Sequence, residues 1–165
     1  DLVAVPLRGR PGASDLLDGV WVLVTLATVV VFLVWFRRMY RNLPALGARH
    51  LRWSPGWAVG AWFVPILNLW RPVQIACDIA RASDPTAPDD LGPDWHHRAA
   101  DEVITLWWLL YLGSNLVWTS ANEYTFGEQA SDLLEASAAV ACAVVVWRLT
   151  QKHLERARRL GHGPG

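Results

Sequence analysis

Five arginines, Arg37, Arg38, Arg41, Arg52 and Arg71, stand at the edges of apolar stretches and carry the clearest chemistry in the chain. A guanidinium pairs bidentately with phosphate, so arginines held at one membrane depth would suit anionic lipid headgroups. The competing reading is plain topology signalling, since any inward-ending membrane helix carries such charges. A second constellation is Trp62, Asn68 and Trp70, a lone amide between large rings in a segment interrupted by Pro65. Broken helices with a polar group beside the break form substrate sites in transporters. The alternative is an interfacial hairpin that only completes a bundle. A third group, Asp94, His96, His97, Asp101 and Glu102, has the residue types of a metal or acid–base site. His97 and Asp101, four apart, would share a helix face. No second ligand group has a recognisable spacing, so the cluster reads as a solvated helix start, and neither metal nor cofactor is expected. No GxSxG, Walker loop, HExxH or GxGxxG motif occurs, so no catalytic residue is assigned and no enzyme is expected.

The elements that must position these residues are apolar blocks. The chain of 165 residues is 53% hydrophobic and 18% charged, and its apolar residues are gathered at 16–36, 103–118 and 136–147. Nearly charge-free blocks of this length read as membrane helices rather than as faces of a soluble core. Net charge is zero, so nothing points to nucleic acid. Cys77 and Cys142 have neither disulfide nor metal spacing. The fold class expected is all-α: an integral membrane helical bundle with three transmembrane spans plus one Pro-broken re-entrant or interfacial segment. The spans fall at about 16–36, 103–119 and 133–150, and the broken segment at 54–82. They form one helical domain over residues 15–160, between a disordered or truncated arm (1–14) and a short tail (161–165). Residues 83–92 and 120–131 read as loops, and 151–160 as a basic helical tail.

Residues 52–72, RWSPGWAVGAWFVPILNLWRP, decide the topology. Ser54-Pro55 is a helix-start signal, and Gly56 and Gly60 would allow close approach of another helix. Pro65 breaks the helix, and Pro72 breaks it again or restarts it. If this stretch crossed the membrane, the basic clusters around Arg37–Arg52 and Arg148–Arg159 would lie on opposite sides. If it does not cross, only Arg8 and Arg10 of the fifteen basic residues fall outside, leaving thirteen inside. The positive-inside rule selects the second arrangement, with the C-terminus cytoplasmic. Trp21 and Trp118 would then mark the outer interface, and Trp35, Trp107, Trp108 and Trp147 the inner one. Asn115 is expected to bond across helices. Ser137/Ala141 and Ala139/Ala143 are expected to pack helices.

Several of these pieces resemble a bacterial family of multi-pass membrane proteins catalogued as domain of unknown function 4328. They are FLVWFRRMYRN (Phe32–Asn42), the 52–72 motif, ASDP (Ala82–Pro85), LWW (Leu106–Trp108) and the basic C-terminal helix. The resemblance covers most of residues 16–159. Members carry a further hydrophobic segment upstream, so the chain reads as truncated. The family implies an integral membrane protein and supplies no activity, cofactor or catalytic residues.

The function expected is that of a non-enzymatic scaffold or partner subunit in the cytoplasmic (inner) membrane. Its basic inner face would contact anionic lipid, another membrane protein or a second copy. The alternative is a transporter-like or small-ligand-binding protein with its site around Asn68.

Overall fold

Residues 13–41 contain no proline, and they form one helix, α1 (Ala13–Arg41). Asp15 in its first turn and Arg38 and Arg41 in its last both suit the helix dipole. The computed structural model describes residues 13–99, 101–120 and 125–161. Residues 1–12 of the expected arm (1–14) and residues 162–165 of the tail lie outside them, as do the side chains of Ser14 and Trp118, while 13 and 14 open α1. The chain divides into two compact units, Asp1–Trp35 and Phe36–Gly165. The described part of the first is the body of α1. Everything below concerns the second unless α1 is named.

After α1 a 3-10 turn (Leu43–Leu46) ends at Gly47, whose φ of 88° is left-handed. A Cβ at Gly47 would lie 2.0 Å from the Asp89 carbonyl oxygen, so only glycine fits. Residues 54–70 do not form the broken helix expected. They contain one helical turn, α2 (Trp57–Gly60), and a 3-10 turn (Leu67–Leu69). Pro65 lacks an N–H, and its ring disfavours helical backbone at Val64, so a run of short-range bonds replaces the helix. Trp62 N–H donates to Val59, Phe63 to Gly60 and Leu69 to Ile66. Gly56 and Gly60 do not mark a close helix approach, because a Cβ at either would meet only ordinary contacts at 3.8 and 3.7 Å.

Pro72 restarts a helix rather than breaking one. It lies in the first turn of α3 (Arg71–Ala82), where its missing N–H costs nothing. Residues 83–92 form the expected loop, and a 3-10 turn (Trp95–His97) follows. Helix α4 (Glu102–Ser120) starts on Asp101, whose carboxylate accepts the Val103 N–H at 3.2 Å. Helix α5 (Thr125–Arg159) begins inside the stretch expected to be a loop and absorbs the expected basic tail. It packs along α4. No strand occurs among the described residues.

Among the described residues two helices, not three, are long and apolar enough to cross a membrane: Asp15–Arg41 within α1 and Asp132–Arg159 within α5. Helix α4 has 19 residues, about 28 Å at 1.5 Å each, and its apolar run is diluted by Gly113, Ser114 and Asn115. Trp107 and Trp108, expected at the inner interface, are both buried against the 54–70 coil. Asn115 does not bond across helices. Its amide donates to the Tyr111 carbonyl one turn back at 2.7 Å, just as Thr28 bonds Val24 and Ser137 bonds Leu133. Nor are Ser137 and Ala139 on the packed face of α5. That face is Ala138, Val145, Leu149 and Arg156.

Arg156 is fully buried, and all its guanidinium nitrogens donate to backbone carbonyls. Nε and Nη2 reach Leu46 at 3.0 and 2.9 Å. Nη1 reaches Asp84 at 2.7 Å and Ala87 at 3.1 Å, and Nη2 reaches Pro88 at 2.7 Å. One side chain thus joins the turn after α1, the 83–92 loop and the end of α5. Arg159 adds bonds to Ala87 and Asp89, and His153 meets the Ser83 hydroxyl at 3.1 Å. Beside this clamp, Asp101 pairs with Lys152 at 2.8 Å and Arg148 at 3.4 Å. Burial alone would raise the Asp101 carboxyl, but the Lys152 and Val103 hydrogen bonds and the two cations hold it below the usual carboxylate range.

Lysine offers three donors from a point charge and cannot reproduce this fork. Arg156→Lys is therefore expected to cost about 3 kcal/mol through carbonyls left without donors. Gly47→Ala should loosen the same loop. Thermal unfolding in detergent, with limited proteolysis at residues 84–90, checks both; a wild-type melting point and protease pattern in both variants would contradict the clamp.

Candidate functional site

The polar residues of α3 fall on one face. Gln74, Cys77, Asp78 and Arg81 are spaced three, four and seven apart, and α3 carries its apolar residues Ile75, Ala76 and Ile79 into the core. Opposite this polar face lies the Trp95–His97 turn, pinned to the linker after α1. Trp95 Nε1 donates to the Arg49 carbonyl at 3.0 Å, and His96 Nε2 lies 3.2 Å from the His50 carbonyl. His50 itself sits at φ 54°, in the left-handed region that histidine tolerates better than most residues. Arg52 returns the contact, its Nη2 lying 3.5 Å from the His96 carbonyl.

Between the two walls is an open cleft of ≈ 380 Å³ lined by Arg52, Val73, Gln74, Cys77, Arg81, His96 and His97. Asp78 lies behind it, fully buried, with Oδ1 3.4 Å from Arg81 Nη1 and 3.6 Å from His96 Nδ1. The His50 carbonyl can only accept, so the proton on the His96 ring is assigned to Nε2 from the hydrogen-bond pattern. Nδ1 then faces the Asp78 carboxylate. Burial pushes the Asp78 carboxyl up, against the pull of Arg52, His96 and Arg81. Arg81 is fixed by two bonds, Nη1 to Asp78 and Nε to the Arg98 carbonyl at 2.7 Å. Burial also raises the Cys77 thiol, which keeps it neutral rather than nucleophilic.

The five arginines singled out by sequence do not converge. Arg37, Arg38 and Arg41 are exposed at the end of α1. Arg52 joins the cleft. Arg71 turns to aromatic rings, its Cζ 3.4 Å from the Trp53 centroid and 5.9 Å from that of Trp57. Trp53 is held in turn by its backbone N–H, which donates to the Tyr40 hydroxyl at 3.2 Å.

Trp62 and Asn68 do come together, through Tyr111. The Trp62 ring lies 5.8 Å from Tyr111, 6.0 Å from Trp108 and 6.2 Å from Phe36, and Asn68 Nδ2 lies 3.5 Å from the Tyr111 hydroxyl. Trp70 is not part of this cluster's described ring contacts and is 43% exposed. Trp108 Nε1 ties the coil to α4 through the Leu69 carbonyl at 3.0 Å.

His97 and Asp101 do not share a helix face, because His97 ends a 3-10 turn and Asp101 caps α4. Among the described residues no three His, Cys, Asp or Glu side chains are placed to hold a metal ion. Sequence reasoning missed the pairing of His96 with Asp78 and the role of Arg81. The signal available was the Gln74, Cys77, Asp78, Arg81 spacing on a helix whose other face is apolar.

The Asp78 shift fixes a sign. A carboxyl whose native pKa is raised binds more protons when folded, so its contribution to stability falls as pH rises from the usual range of about 4. Asp78→Asn removes that slope. The variant's melting point in detergent, relative to wild type, should therefore rise between pH 4 and pH 7. A pH-independent difference would contradict the buried titrating carboxyl.

No curated protein and no solved structure matches the chain. One family does match, under the description Domain of unknown function (DUF4328), over residues 12–151. That stretch holds α1, the 54–70 coil, the α3 face, the cleft and all but the last turns of α5, and the chain belongs to this family.

Proposed function

We propose that this chain is an integral protein of the cytoplasmic membrane that acts without chemistry of its own. It serves as a scaffold or partner subunit whose basic inner face holds anionic lipid headgroups or another membrane protein. The observation that carries this is the surface of α1. Leu17, Leu23, Leu26 and Val29 point in different directions around the helix, yet each is between 47% and 70% exposed. A helix apolar on every side is suited to lipid. Its 29 residues rise about 43 Å, enough for a hydrocarbon core of ~30 Å. It ends in the exposed Arg37, Arg38 and Arg41.

In this arrangement α4, the shortest of the three at 19 residues, crosses by packing along α5 rather than as an independent span, and residues 54–82 re-enter from the cytoplasmic side without crossing. Support comes from the Arg156 bonds to Leu46 and to residues 84–88, which draw both flanks of the segment to the end of α5. The exposed Phe63 and Ile66 suit a coil dipping into the leaflet.

The second reading is a small-ligand or transporter-like site at Asn68. Its support is the buried Asn68 Oδ1, which has no donor among the described residues. A ligand N–H or O–H could supply one.

Each arginine near an anionic surface contributes about 1 kcal/mol. The triple change of Arg37, Arg38 and Arg41 to Gln should therefore remove the enrichment of anionic lipid in co-purified material, read by mass spectrometry. The triple change to Lys should retain it. Enrichment unaltered in the Gln variant would rule out headgroup binding at this face.

A further inference from the structure

We propose that the cleft between α3 and the Trp95–His97 turn binds a phosphate-class oxyanion through Arg52, Gln74, Arg81 and His97. Its volume of ≈ 380 Å³ is that of a small-ligand site. The walls offer donors already positioned and not consumed. Arg81 is held by the Arg98 carbonyl through Nε and by Asp78 through Nη1, which leaves Nη2 without a partner among the described residues. A guanidinium fixed in this way loses little freedom when it takes an anion. Arg52 is anchored on the His96 carbonyl through one nitrogen only. The Gln74 amide and the His97 ring line the same space and make no side-chain hydrogen bond among the described residues.

Charge points the same way. Two guanidinium groups line the cleft, and the carboxylate paired with Arg81, Asp78, is fully buried behind it. Asp78 fixes Arg81 and faces His96, and it is a positioning residue rather than a ligand contact. A net positive, donor-rich concavity whose lining includes no carboxylate selects an oxyanion, and two guanidinium forks match the oxygens of a phosphate. Val73 and Cys77 leave an apolar strip beside the polar donors, suited to the carbon side of a monoester.

The site differs from the exposed arginines at the end of α1 and stands without the headgroup reading given above. The anion could be free phosphate or a lipid phosphomonoester headgroup, and two arms separate these. The full chain in detergent is titrated with inorganic phosphate by calorimetry. In parallel it is reconstituted in phosphatidylcholine vesicles with and without phosphatidic acid, and the headgroup resonance is followed by phosphorus NMR. Wild type should bind in at least one arm. Arg52→Gln should weaken binding about tenfold, an amount a single charged hydrogen-bonding group typically carries. Gln74→Glu, an exposed-side change that preserves the Arg81–Asp78 pair, should abolish it. The Arg37→Gln/Arg38→Gln variant should leave inorganic phosphate binding unchanged. Binding in the vesicle arm alone, with the same dependence on Arg52 and Gln74, identifies the lipid form. No binding in either arm, or wild-type binding by a folded Gln74→Glu protein, overturns the proposal. Loss of lipid enrichment at the α1 arginines without loss of phosphate binding would keep the two sites apart.

Discussion

A guanidinium carries five N–H donors and keeps its charge, so it can be buried only where acceptors meet it from several directions. Arg156 is placed in the core by the register of α5, in line with Ala138, Val145 and Leu149. Its acceptors come from two chain segments far apart in sequence, the turn after α1 and the loop after α3. Neither segment could be arbitrary. Gly47 must be glycine to let the Asp89 carbonyl approach, and the loop must turn its carbonyls at Asp84, Ala87 and Pro88 inward. This one requirement fixes where the first helix ends and where the last one docks.

The cleft follows from the same constraint. Once the 43–48 turn and the 83–92 loop are tied to α5, the linker after α1 lies where Trp95 and His96 can bond its carbonyls. That pairing brings the 95–97 turn across the polar face of α3. Asp78 then meets His96 and Arg81, and Arg81 is left with one arm facing open space. The 54–70 coil is held separately, by Trp62 among Phe36, Trp108 and Tyr111, and by the Trp108 bond to Leu69. Ring packing takes over there because Pro65 denies the backbone a helical ladder.

Much of the fold was readable from local signals. Apolar runs gave α1 and α4 to within a few residues, and Pro72 offered the restart that begins α3. What was not readable depends on contacts between distant segments. Arg156 looked like one more charge in a basic tail, because α5 is apolar over much of its length and no single face declares itself. Arg71 stood among the candidate headgroup contacts, and its stacking on Trp53 and Trp57 was not visible from their spacing. His96 looked like part of a histidine–acid cluster with Asp101, but the 3-10 turn sends it to Asp78 instead. The 54–70 motif announced a break at Pro65 but not that only one helical turn would survive before it.

If Arg156 ties both flanks of residues 54–82 to one membrane face, single cysteines on those flanks must share a side. Ala45→Cys, Asp90→Cys and Arg158→Cys, each in a Cys77→Ser/Cys142→Ser background, can be probed with a membrane-impermeant maleimide. All three should be protected in intact cells and should label in inverted membrane vesicles. Labelling of Ala45→Cys and Asp90→Cys from opposite sides would contradict the account.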